Sequence, residues 1–335
     1  MNEIRIMTPE PDGQTPEIRN LRLRVDLTAF FMLLLILFSV IDGVIYPYAE
    51  ELVWNLFGTD SVMYNTVLDA YDIVTYTCGF LFPLGIVLIF TAVRGMLPDI
   101  SFQPTLPEHS ISVIFASVGI LYVFGTIGDA VLSLFELTGL ELAGYDLPLP
   151  DTPLRVILYF LSTVILPALV EELAFRGFVL HLLLPYGKVF AVITSGVLFG
   201  LMHGYLPQIL YASVAGILIG YFVVRCDSLW IGVFIHLTTN LMSFLFDMAY
   251  QFLPEELYFL ISLVLEGAVY LAAFAGILVL FRHFAEENGT QPLENASTYT
   301  RLLDTESAFR SLLTVPMLLY CAAAVYQIVT SSFLF

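Results

Sequence analysis

The sequence predicts an all-α fold, a polytopic transmembrane helical bundle of about nine spans with eight as the alternative count. Three observations carry that reading. Of 335 residues, 59% are hydrophobic and 13% charged, where a soluble domain has about a quarter of its residues charged. The apolar runs are long and nearly unbroken, unlike the short alternating segments of a membrane β-barrel. When the runs are threaded alternately through a bilayer, the basic residues collect on one side, as they do in cytoplasmic loops. One large membrane domain accounts for the whole length.

A polar tail, 1–26, carries Arg5, Arg19, Arg22 and Arg24. Three apolar spans follow in 27–150, at 27–48, 70–93 and 111–139. The segment 151–250 holds four more, at 153–187, 189–204, 207–224 and 229–248. The last two, 257–281 and 311–335, lie in 251–335 on either side of a polar inner loop, 282–310. A helix needs roughly 20 residues to cross, so 153–187 is expected to tilt strongly or to break near Pro167. The spans 189–204 and 207–224 are short, and Pro207 marks a tight turn between them.

With the N-terminus inside, the inner tails and loops hold Arg5, Arg19, Arg22, Arg24, Arg94, Lys188, Arg225, Arg282, Arg301 and Arg310, ten of the twelve basic residues. The exceptions are Arg155, at an outer helix end, and Arg176, inside a span. The expected topology is N-terminus inside and C-terminus outside. The first apolar run is too long for a signal-peptide core and is expected to remain as an anchor. Asn295 then faces inward and is no glycosylation acceptor. Cys78, Cys226 and Cys321 are scattered and read as small core residues.

The net charge of −18 argues against nucleic acid as a partner and against strong docking to anionic headgroups, since both need basic patches. Membrane lipids and a peptide or membrane-protein substrate are the expected partners. Small residues recur every fourth position in two neighbouring spans, Gly196, Gly200, Gly204 and then Ala212, Gly216, Gly220. Each series lies on one helix face and predicts close backbone packing.

The ionisable residues are the informative ones. Glu171, Glu172 and Arg176 sit inside an apolar run, where charge is costly and points to function. Counted from Lys188 and Arg225, the residues Glu172, His203, His236 and Asn240 lie roughly 16–24 Å from the inner ends of their helices at 1.5 Å per residue. They therefore converge on one layer. Glu172 and Arg176 are four apart and can pair. Phe199 and His203 have the same spacing, as do His236 and Asn240. An imidazole and a carboxamide on one face are suited to a developing oxyanion. Glu171, turned about 100° from its neighbour, is left to act as a general base.

The three patterns Glu171-Glu172-x-x-x-Arg176, Phe199-x-x-x-His203 and His236-x-x-x-Asn240, in that order, resemble the motifs of the CPBP family. These are the type II CAAX prenyl endopeptidases and their bacteriocin-processing and self-immunity relatives. Phe175-Arg176-Gly177 and Phe199-Gly200-Leu201 share the family look. The resemblance covers about 155–250. It implies that Glu171 and His203 activate the attacking water and that His236 and Asn240 form the oxyanion site. Glu172 and Arg176 would support the geometry, with Phe199 packed beside His203. The family has also been described as metalloproteases, and Glu171, His203 and His236 are a possible zinc set. The usual His-Glu-x-x-His helix is absent, so no cofactor is expected.

Each pattern taken alone has a plainer explanation. The glutamates and arginine could be a structural ion pair, His203 an interhelical hydrogen-bonder, and His236 with Asn240 a polar clasp. His181 faces away from Glu172 and reads as structural, and His109 and His283 have no assigned role. Asp42, Asp129, Glu136, Asp247 and Glu266 fall in the outer half and read as solvated helix ends, with an acidic vestibule for cationic peptides as the sharper alternative. The expected function is an intramembrane endopeptidase acting on a membrane-associated peptide. Its rivals are a non-catalytic immunity or scaffold protein and a proton-coupled transporter. The acidic chain, with a single lysine, has a prokaryotic look and is expected in the plasma membrane.

Overall fold

The computed structural model describes residues 15–58, 62–98, 100, 109–137, 149–286 and 303–332. Arg5, Asn295 and Arg301 lie outside the described residues, as do the side chains of Asp129, Glu136 and His283. Ten helices make up the described chain, with no strand among the described residues. They are α1 (Pro16–Phe57), α2 (Val62–Val93), α3 (Ser110–Glu136), α4 (Pro153–Tyr186), α5 (Lys188–Leu201), α6 (Leu206–Cys226), α7 (Leu229–Phe252), α8 (Glu255–Glu286), α9 (Thr305–Arg310) and α10 (Val315–Ser332). The fold is an all-α polytopic bundle. Seven helices, α1 to α4 and α6 to α8, are long and apolar enough to cross a membrane, while α5 and α10 are shorter.

From Pro16 the polar tail is helical, well before the apolar run begins. Thr15 caps α1 by accepting from Ile18 N at 3.4 Å, and Pro16 follows with its φ preset for a first turn. Leu21 and Val25 are fully buried, and the Arg24 guanidinium donates to the Leu182 carbonyl at 2.9 Å, near the end of α4. The arginines expected to be simple topology markers thus include one that fastens α1 to the helix carrying the glutamates.

Helix α4 does not break at Pro167. Instead it changes pitch twice, with π-helical turns at Leu161–Ile165 and Leu173–Leu180 around the α-helical piece Leu166–Glu172. Wider turns just upstream absorb the proline without a kink large enough to end the helix, and such turns recur at functional sites. At its N-terminal end Arg155 is buried, paired with Asp69 of α2 at 2.7 Å and with Asp151 at 2.9 Å.

Three of the five carboxylates expected to be solvated helix ends are bonded across helices. Tyr71 donates to Asp42 at 2.8 Å, Tyr159 to Asp247 at 2.8 Å and Tyr122 to Glu266 at 3.3 Å. A donor from a neighbouring helix offsets the cost of holding a carboxyl group away from water.

Lipid tails give helices no hydrophobic reason to associate, so close packing must supply the attraction. The α5–α6 pair shows how. A methyl group at Gly196 would lie 2.6 Å from Ile217 N and 2.9 Å from Gly216 C, and one at Gly200 would lie 2.7 Å from the Ile209 carbonyl oxygen. At Gly220 the nearest atom would be 3.7 Å away, so that glycine is replaceable. Gly196→Ala is expected to cost about 1–3 kcal/mol through overpacking, and Gly220→Ala to be neutral. Thermal melting in detergent checks this; equal melting of the two variants would contradict the backbone contact.

Candidate active site

Glu171 and Glu172 close the central α-helical piece of α4, and both are buried, at 6% and 0% exposed. Arg176, four residues on, meets Glu172 Oε1 with Nη1 at 2.8 Å. Its Nη2 donates to the Gly216 carbonyl at 3.2 Å. The guanidinium lies 4.4 Å from the centre of the Phe199 ring, a cation–π contact in a desolvated setting. The arginine is therefore held by an acid, a backbone carbonyl and an aromatic face. Gly216 belongs to the small-residue face that packs on α5, which ties the close helix approach directly to the ion pair.

His236 stands between the two glutamates. Its Nδ1 is 2.9 Å from Glu172 Oε1, and its Nε2 is 3.8 Å from Glu171 Oε2. Glu172 already accepts from Arg176 as a carboxylate, so Nδ1 must carry the hydrogen it shares with Glu172. Donation from Nε2 to a bound group then requires the doubly protonated ring.

His203 is presented differently from the sequence expectation. Helix α5 ends at Leu201, and His203 occupies the turn before α6 rather than a helix face. Its Nδ1 donates to the Phe199 carbonyl at 2.9 Å, one of the carbonyls a helix end leaves without an internal partner. A carbonyl only accepts, so Nδ1 bears the hydrogen and Nε2 of the neutral ring keeps its lone pair. Gly204 continues the turn at φ +67, a conformation that side chains disfavour. Phe199 packs its ring edge-on to both histidines, with centroids 5.2 Å from His203 and 5.9 Å from His236.

Asn240 has a structural bond that the sequence did not reveal. Its Nδ2 donates to the Thr163 carbonyl at 2.9 Å. Pro167 has no N–H to offer that carbonyl four residues back, so Asn240 fills the vacancy from α7. Removing the amide is expected to cost about 1 kcal/mol, within the range for membrane hydrogen bonds. Asn240→Asp should cost more than Asn240→Ala, because it sets a carboxylate against a carbonyl. In a Pro167→Ala background, where residue 167 supplies an N–H, the cost of Asn240→Ala should shrink. Melting of the four variants in detergent tests this, and an unchanged cost in the Pro167→Ala background would refute the account.

Glu171, Phe199, His203, His236 and Asn240 line one cavity of about 130 Å³, together with Gln208, Tyr211 and Thr239. Glu172 and Arg176 lie behind it. The sequence reading missed Tyr76 of α2, whose hydroxyl donates to Glu171 Oε1. Its only sequence signal is a hydroxyl in an apolar run, which many of the chain's 18 tyrosines share. His181 donates Nδ1 to the Arg176 carbonyl within the π-helical stretch.

No three His, Cys, Asp or Glu side chains are grouped to hold a metal among the described residues. The set named from sequence, Glu171, His203 and His236, shares the cavity wall, and each histidine turns Nδ1 to a protein acceptor.

Fold and site together define a class: an integral helical membrane protein built around a buried cluster of carboxylates and imidazoles that opens on a cavity. Residues 153–242 match the family described as type II CAAX prenyl endopeptidase Rce1-like, which bears out the CPBP resemblance of the three motifs. The match supports CAAX-type intramembrane protease activity in general. No curated protein and no solved structure matches the chain.

Proposed function

We propose that the chain is an intramembrane endopeptidase that hydrolyses a peptide bond of a membrane-associated peptide or protein. Glu171 and His203 activate the attacking water. The observation that carries this is the asymmetry of Glu171, which lines one cavity with His203: Tyr76 holds Oε1, while Oε2 has no hydrogen-bond partner among the described residues. Water held between Glu171 and the Nε2 lone pair of His203 loses a proton to this pair as its oxygen attacks the carbonyl carbon. The carbonyl π electrons move to the oxygen. The doubly protonated His236, through its Nε2–H, and the second N–H of Asn240 Nδ2 meet the resulting oxyanion. Collapse of the tetrahedral intermediate breaks the C–N bond, and the proton taken from water passes to the leaving amine. Glu172 and Arg176 position His236 and brace the helix.

No step in this reading runs through a metal. Chelators at concentrations that strip zinc are expected to leave cleavage within about twofold of the untreated rate, well short of the loss that follows removal of a reacting group. Loss of cleavage restored by added zinc would assign the metal set instead.

We also propose a prokaryotic plasma membrane with the N-terminus inside and the C-terminus outside, supported by the one-sided basic residues. Labelling of single cysteines placed in the tails of intact cells checks the orientation.

The deciding experiment compares membrane and secreted peptides from the native host carrying wild type or Glu171→Gln. A precursor that accumulates uncut only in the variant supports the peptidase and identifies its substrate. Identical profiles, with the variant stably in the membrane, favour a binding partner that works without catalysis.

A further inference from the structure

The motif residues all lie in the segment from α4 to α7, yet among the described residues the side chain that donates to Glu171 comes from α2, outside the family-matched segment. Tyr76 reaches Glu171 Oε1 across 95 positions of sequence. Its ring is set against Phe80, 5.2 Å between centroids, so the hydroxyl is aimed from a packed helix.

A glutamate carboxylate turns about a broad, two-fold terminal torsion. Nothing in its own covalent structure distinguishes its two oxygens. In this site they are distinguished by their surroundings. Oε1 accepts from Tyr76, and Oε2 points toward His236 Nε2 at 3.8 Å without a hydrogen bond. A general base must offer a defined lone pair at hydrogen-bond range of the water it deprotonates.

We propose that Tyr76 is a positioning residue for Glu171: its hydroxyl holds one carboxylate oxygen and so fixes the other, Oε2, beside His236 with its lone pairs unclaimed. This rests on the reading of Glu171 as the base. The plainer alternative is that Tyr76 only satisfies a buried carboxyl group. Tyr71, also on α2, donates to the half-buried Asp42 of α1 away from the cavity, which makes it the control for losing a tyrosine–carboxylate bond.

The test uses the full chain in lipid–detergent micelles and, as substrate, the precursor that accumulates in the Glu171→Gln host. Tyr76→Phe is expected to lower kcat about 10- to 100-fold with KM little changed, as for other outer-shell partners of a reacting group. Tyr71→Phe should leave kcat within about twofold. In a Glu171→Gln background Tyr76→Phe should cause no further loss, because the group it positions is gone. Infrared difference spectra, wild type minus Glu171→Gln, isolate the Glu171 carboxyl band; Tyr76→Phe should shift it and Tyr71→Phe should not. If Tyr76→Phe does not fold, 3-fluorotyrosine at position 76 keeps ring and donor and should keep full kcat.

Full kcat in Tyr76→Phe beside an inactive Glu171→Gln overturns the positioning role and leaves the base in place. So does an unshifted carboxyl band, or equal losses in the two tyrosine variants. Wild-type cleavage by Glu171→Gln removes the base itself, and the role of Tyr76 with it.

Discussion

Glu171→Gln is expected to lower kcat by roughly a hundred- to ten-thousand-fold, the contribution of a positioned general base. The substitution keeps the side chain's shape and an oxygen that can still accept from Tyr76. Melting in detergent should therefore stay close to wild type, and the loss should fall on kcat rather than KM. His203→Ala should act in the same direction, because His203 lines the same cavity. The two losses should not add, since both groups handle one proton. Single-turnover cleavage of the accumulated precursor by the purified variants measures this. Wild-type turnover by Glu171→Gln would remove the assigned base.

The largest structural effect is expected at Arg176. Glu172 is completely buried, and its Oε1 accepts from both Arg176 and His236. Arg176→Met would leave that carboxylate without its cation and empty the space against the Phe199 ring. Removing one partner of a buried pair costs about 3–5 kcal/mol, a large share of the 5–15 kcal/mol that typically separates folded from unfolded chains. The expected result is a protein that melts far below wild type and accumulates poorly in membranes. Adding Glu172→Gln should recover most of the loss, because a neutral carboxamide oxygen still accepts from His236. An Arg176→Met protein as stable as wild type would mean that no buried charge depends on the guanidinium.

Much of the fold was legible because helical membrane proteins write their local geometry in sequence spacing. Long apolar runs mark the spans, and each of those runs is helical over most of its described part. The four-residue spacing of Glu172 and Arg176 places them on one turn, and the 2.8 Å contact between them follows from that. The every-fourth glycines predict a close approach, and Gly196 does lie against Gly216.

Four features needed the tertiary structure, and each depends on how whole helices are rotated, tilted and set against one another. Tyr76 meets Glu171 because α2 lies beside α4. His236 bridges two glutamates because α7 is rotated so that its ring enters between them. Asn240 reaches the carbonyl that Pro167 leaves open because α4 continues through the proline at a changed pitch instead of breaking there. His203 sits in a turn because α5 stops after Leu201, where Gly204 takes a positive φ. Residue spacing along one helix constrains the angle between side chains on that helix to a few tens of degrees. It carries no comparable constraint on the angle between two helices, and that angle decides which carboxylate oxygen is held by Tyr76 and which is left without a partner.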